Sequence, residues 1–127
     1  MAEFALLEEQ LLAQGQLARA AARKLAILST EQKNAALMAM AAHLEAHCQE
    51  ILAANAQDMA KAKQKGMSES LLDRLCLTEQ RIKDMAGGLR TLAGLEDPVG
   101  KVDSMWYGAQ NLQIGRVRVP LGVVGII

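Results

Sequence analysis

The stretch Arg118-Val119-Pro120-Leu121-Gly122-Val123-Val124-Gly125-Ile126-Ile127 decides how the rest of the sequence is read. From Leu121 to Ile127 it is apolar without alternation. A strand with one wet face alternates polar and apolar residues, whereas a strand covered on both faces does not, as in a parallel sheet clad by helices. The reading is a buried strand over about 121–127 and, with it, an α/β fold. Pro120 has no amide hydrogen to give a ladder, so it separates this strand from the one before it.

Working back from Pro120, Gln113, Ile114, Arg116, Val117, Arg118 and Val119 read as a strand rich in β-branched residues. With Val102 onward they predict a β-hairpin over about 102–119, turning around Gly108 to Asn111. Asp97-Pro98-Val99-Gly100 is turn chemistry and marks the border with what precedes it. There the composition is of another kind. Alanine occurs 22 times and methionine 7 times, while the aromatic residues are Phe4, Trp106 and Tyr107 alone. Small and unbranched side chains let helices approach closely, so helices are expected over about 4–93.

Phe4, Leu7, Leu11, Ala18, Ala21, Leu25 and Leu28 recur at three- and four-residue steps, predicting a first helix from about Phe4 to Leu28. Gln14 and Gly15 interrupt its stripe and suggest a bend. Ser29 with Gln32 is a capping pair that opens the next helix. Leu37, Met40, Ala41 and Leu44 continue the period, then Ile51, Leu52, Asn55 and Met59, with a break expected near His47. Gly66 terminates that run, Ser68-Glu69 starts a short helix through Leu75, and Thr78-Glu79 starts another that Gly94 ends.

The 14 basic and 14 acidic side chains cancel, so neither nucleic acid nor an anionic membrane is expected as a partner. Glu3, Glu8 and Glu9 stand where a secretory signal would be basic, and the longest run free of charged or strongly polar residues, Val119 to Ile127, is far short of a membrane span. Cys48 and Cys76 form no CxxC pair and read as buried, reduced thiols of a cytoplasmic protein.

Four sets of residues offer chemistry by type. His43 and His47 have the i,i+4 spacing of a zinc pair, but Leu44 stands where a metalloprotease places Glu, and a solvated or packed pair is the preferred reading. Cys48 and Cys76 are nucleophiles by residue type only, and Asp73-Arg74-Leu75-Cys76-Leu77 reads as packing. Gly122 and Gly125 are spaced GxxG, not GxGxxG, which favours close packing in a sheet over a phosphate loop. Arg116 and Arg118 project from one strand face, either to solvent or toward a partner's strand or carboxylates.

Several segments recur together in one known family. They are Ser29-Thr30-Glu31-Gln32-Lys33-Asn34, Asn55-Ala56-Gln57-Asp58, Ser70-Leu71-Leu72-Asp73-Arg74-Leu75 followed by Leu77, and Asp97-Pro98-Val99-Gly100. With the Arg118 to Ile127 stretch they resemble the start of the γ-glutamyl phosphate reductase family, also called glutamate-5-semialdehyde dehydrogenase, in the aldehyde dehydrogenase superfamily. The resemblance runs from about Leu17 to Ile127, and Arg118 to Gly125 is its most specific piece. The family often has Asn-Gly-Leu in the hairpin, whereas Asn111 here runs directly into Leu112.

The resemblance implies a parent enzyme that reduces γ-glutamyl phosphate with NADPH, through attack by a cysteine, in L-proline biosynthesis. It implies that this chain is the N-terminal part of the NADP-binding domain, with the catalytic domain absent and the chain inactive alone. No catalytic or metal-binding residue carries over; Ile126 and Ile127, whose backbone would line the cofactor cleft, are the cofactor candidates. A homo-oligomer joined through the 102–119 hairpin is also implied. The alternative is a non-catalytic helical module that self-associates by strand-edge pairing.

Overall fold

The computed structural model describes residues 2–126, with side chains from Leu7 to Ile126. Along it run α1 (Ala2–Leu25), α2 (Thr30–Ala46), α3 (Cys48–Gln64), α4 (Glu69–Leu75) and α5 (Glu79–Ala93). Strands β1 (Val102–Tyr107) and β2 (Gln113–Val117) follow, joined across a 3-10 turn at Ala109–Asn111. Residues Glu31–Leu95 form one compact unit; the segment up to Thr30 and that from Glu96 onward form a second.

In the helical unit the buried residues are Ala41, Ala62, Ile82 and Ala86. Ile82 and Ala86 lie one turn apart on α5 and so share its inward face. Three of these four residues are alanine, which lets helix backbones come close and leaves little volume for larger side chains. Leu44, Ile51, Leu52, Met59, Leu72 and Leu89 surround them, half-buried. Met40, placed in the apolar stripe by its spacing, is exposed.

The helix ends follow local chemistry. The Thr78 hydroxyl accepts from the Arg81 N–H at 3.1 Å, capping α5. At the end of α3, Gly66 takes a φ of +72°; its N–H reaches the Lys63 carbonyl at 3.0 Å, and the Met67 N–H reaches the Ala62 carbonyl at 3.1 Å. That pair of bonds is a Schellman motif, which needs a left-handed residue after the helix. The break expected near His47 falls at His47, with φ −100° and ψ 19° between α2 and α3.

In the second unit, α1 runs unbroken through Gln14 and Gly15, so the bend suggested there does not form. It closes at Leu25 instead of Leu28, finishing in tight turns from Ile27 to Lys24 and from Leu28 to Leu25. Strands β1 and β2 pair antiparallel, with Met105 opposite Gly115 and Trp106 opposite Ile114. The register shifts between Val102 and Ser104, a bulge at Asp103. Beyond it the ladder resumes, the Arg118 N–H donating to Lys101 and the Gly100 N–H to Arg118, each at 2.9 Å.

The buried strand expected over about 121–127 is not formed within the described residues. Residues 119–126 join no ladder and are exposed, Leu121 at 94%. A strand needs a neighbour to take up its N–H and C=O groups, and β1 and β2 pair with each other.

Candidate functional site

In the helical unit, polar side chains converge on the link between α4 and α5. Asn55, half-buried on α3, donates from Nδ2 to the Leu75 carbonyl at 3.0 Å and accepts the Leu77 N–H on Oδ1 at 2.8 Å. One amide thus satisfies the two backbone groups that flank Cys76. Arg81, in the first turn of α5, donates Nη1 to the carbonyls of Asp73 and Cys76 and faces the Asp73 carboxylate at 3.3 Å. These bonds satisfy carbonyls that the end of α4 leaves open, and a planar guanidinium reaches several at once. The arrangement holds a chain turn and leaves no open polar group for a ligand.

Glu45 and Arg90 join α2 to α5 through two parallel bonds, of 2.8 and 2.6 Å. The hydrogen bond from Arg90 holds the Glu45 carboxyl below its ordinary value, and Glu45 in turn raises Arg90.

The cysteines and histidines are not gathered into a reactive centre. Cys48 and Cys76 are both half-buried free thiols, and the Cys76 Sγ donates to the Leu77 carbonyl at 3.7 Å. His43 and His47 stack with ring centroids 5.8 Å apart and planes 6° from parallel. The His47 Nδ1 lies 3.4 Å from Glu50. Among the described residues no three His, Cys, Asp or Glu side chains group as metal ligands.

On the hairpin, the two arginines expected to share a face meet different surroundings. The Arg118 Nε donates to the Asp103 carboxylate of its own chain at 2.8 Å. The bulge at Asp103 brings that carboxylate round, and a sequence reading that assumed regular alternation could not see it. Glu96 accepts from Lys101 at 2.8 Å, and that bond, followed by the charges of Lys101 and Arg118, lowers the Glu96 carboxyl. Arg116, opposite Ser104, is exposed.

The second unit also holds an open groove of about 480 Å³. Gly15, Arg19, Ala22 and Arg23 of α1, with Ala26 just past its end, form one wall, and residues 120–123 form the other. Two cations one helical turn apart therefore stand over an otherwise apolar floor, and no acidic residue lines it. Composition gave no sign of this, because the arginines are distant in sequence from the segment they face.

Of the two cofactor candidates, Ile126 is 92% exposed and Ile127 lies outside the described residues. Gly122 has a φ of +97°, and a side chain added at Gly122 or Gly125 would meet open space. Close backbone packing, the reading preferred for this pair, is not present at either glycine. The described residues after Gly122 enter no helix. No helix of the described residues is long and apolar enough to cross a membrane.

No family model matches the chain. Its relatives are nonetheless oxidoreductases. They are γ-glutamyl phosphate reductases, and the chain is homologous to them along nearly its whole length. The reductase of Moorella thermoacetica is 65% identical over 113 residues, 89% of this chain and 27% of the relative. That of Clostridium novyi is 53% identical over 121 residues, 95% of this chain and 29% of the relative. The crystal structure of γ-glutamyl phosphate reductase from Thermotoga maritima superposes with a TM-score of 0.81 and 42% identity, over 87% of this chain and 27% of that one. The chain thus spans between a quarter and a third of the length of the relatives it matches. Five helices followed by an antiparallel hairpin match the helical N-terminal region of the aldehyde-dehydrogenase-like fold, as the resemblance implied.

Proposed function

We propose that this chain is the N-terminal portion of an enzyme that reduces γ-glutamyl phosphate to glutamate 5-semialdehyde and phosphate, a step toward L-proline. The observation that carries the proposal is 65% identity to the Moorella reductase over 89% of the chain. Fold similarity at 42% identity to a solved reductase supports it independently.

In this reading NADPH is the reductant, the compartment is the cytoplasm and the enzyme is a homo-oligomer. The chain supplies scaffold: the Asn55 and Arg81 bonds set the α4–α5 turn, and residues 119–126 lead toward the cofactor cleft. In the same reading Ile126 stands at the edge of that cleft and presents backbone to it, while the other candidate, Ile127, lies outside the described residues. In the same reading the nucleophile for acyl transfer lies elsewhere in the enzyme and this chain is inactive by itself.

A genetic test is direct. A hybrid gene in which this chain replaces the matched portion of the Moorella reductase should restore growth without proline to a strain lacking the reductase. Failure of a soluble, well-expressed hybrid to do so, where the intact Moorella enzyme succeeds, would refute the proposal.

A further inference from the structure

The second unit carries more exposed apolar surface than a free-standing piece of protein normally tolerates. Leu11, Leu25 and Val119 are each more than half exposed, and Leu121 and Ile126 almost wholly so. Amid this surface lies the groove with Arg19 and Arg23 on its wall. The segment beside it, from Pro120 to Ile126, has no ladder partner among the described residues.

Resting on the reductase reading, we propose that this surface is a docking seat for the rest of a reductase chain, able to receive it in trans as a separate polypeptide. The occupant is an apolar segment whose carboxylates face Arg19 and Arg23. Two observations select it over other partners. In the Thermotoga reductase the equivalent of this chain is 27% of a longer polypeptide, so most of that enzyme lies beyond the matched part. The groove also pairs an apolar floor with two cations and no acidic residue, which suits an apolar segment bearing negative charge. A backbone with open N–H and C=O groups adds strand pairing to those contacts.

The test uses this chain with an affinity tag, co-expressed with an untagged Moorella reductase polypeptide that lacks the matched 113 residues. A second arm joins the same two pieces in one polypeptide. The proposal expects the separate pieces to co-purify in equal amounts and to show NADPH-dependent reductase activity. Arg19→Glu with Arg23→Glu should cut recovery about tenfold or more, as should Leu121→Asp, with helical content unchanged by circular dichroism. Lys63→Glu, on the other unit, should leave recovery unchanged. An active joined polypeptide whose separate pieces elute apart would overturn the proposal while leaving the reductase reading intact. Recovery unaffected by the charge reversal, or a tagged chain found only as a dimer of itself, would overturn it too. An inactive joined polypeptide beside an active Moorella enzyme would remove the reductase reading and, with it, this inference.

Discussion

The side-chain oxygen of Asn55 accepts the backbone N–H of Leu77, 22 residues further along, at 2.8 Å. The other end of the same amide donates to the Leu75 carbonyl. This places a structural reason beneath two of the motifs that carry the resemblance, Asn55-Ala56-Gln57-Asp58 and Ser70 to Leu75 followed by Leu77. Each motif supplies one half of a clamp around Cys76.

Asn55→Asp removes the donor and sets a carboxylate against the Leu75 carbonyl, while Asn55→Leu removes both bonds. Leaving half-buried backbone groups without partners should cost about 1–3 kcal/mol in either variant. Urea unfolding followed by circular dichroism measures the loss. Midpoints equal to that of the parent would mean that the amide holds nothing.

The Glu45–Arg90 pair predicts a pH dependence. Arg90 holds the folded Glu45 carboxyl below its ordinary value of 4.5, so the unfolded chain binds the proton more readily. The stabilisation is therefore present above the unfolded value and is lost as pH falls through the folded one. Glu45→Gln should flatten that part of the stability–pH curve and leave its slope near neutrality unchanged. Unfolding curves collected from about pH 7 down to about pH 3 decide it; identical acid slopes would contradict the pairing.

Gln110 and Asn111 both adopt positive φ, at 58° and 61°. Left-handed backbone costs an ordinary L-residue about 1–2 kcal/mol, and glycine avoids that at some cost in unfolded-state entropy. Gln110→Gly should stabilise the hairpin by up to about 1 kcal/mol, seen as a higher melting temperature. Gly100→Ala, at a φ of +83°, should do the reverse. A lower melting temperature for Gln110→Gly would contradict the turn geometry.

The stacked pair His43 and His47 should bind no stoichiometric zinc. Elemental analysis after dialysis against metal-free buffer should give the same low content for the parent and for His43→Gln. One zinc per chain, lost in the variant, would contradict the stacked arrangement.

The helices were legible wherever the chemistry is local. Thr78 caps α5 because a hydroxyl there reaches an open N–H, and Gly66 ends α3 because it alone tolerates the left-handed turn cheaply. The bend at Gly15 was over-read, since one glycine costs a helix only about 1 kcal/mol and a long helix absorbs that. The hairpin and the place of its turn, around Gly108 to Asn111, were legible; the left-handed backbone of Gln110 was not, because glutamine carries no signal for it. Arg118 found its carboxylate through a bulge, which shifts register invisibly to alternation. The apolar run 121–127 read as a buried strand, yet a strand's burial is a property of its neighbours, and the run joins none among the described residues.

The most direct test of the central claim is an enzymatic assay on the purified hybrid of this chain with the rest of the Moorella reductase. Acyl phosphates hydrolyse readily, so the reaction is best followed in reverse, as NADPH formed from glutamate 5-semialdehyde, phosphate and NADP. The account predicts phosphate-dependent turnover within about tenfold of the intact Moorella enzyme, because it assigns the replaced portion the part of scaffold. A folded, soluble hybrid with no turnover, alongside an active Moorella control, would contradict it.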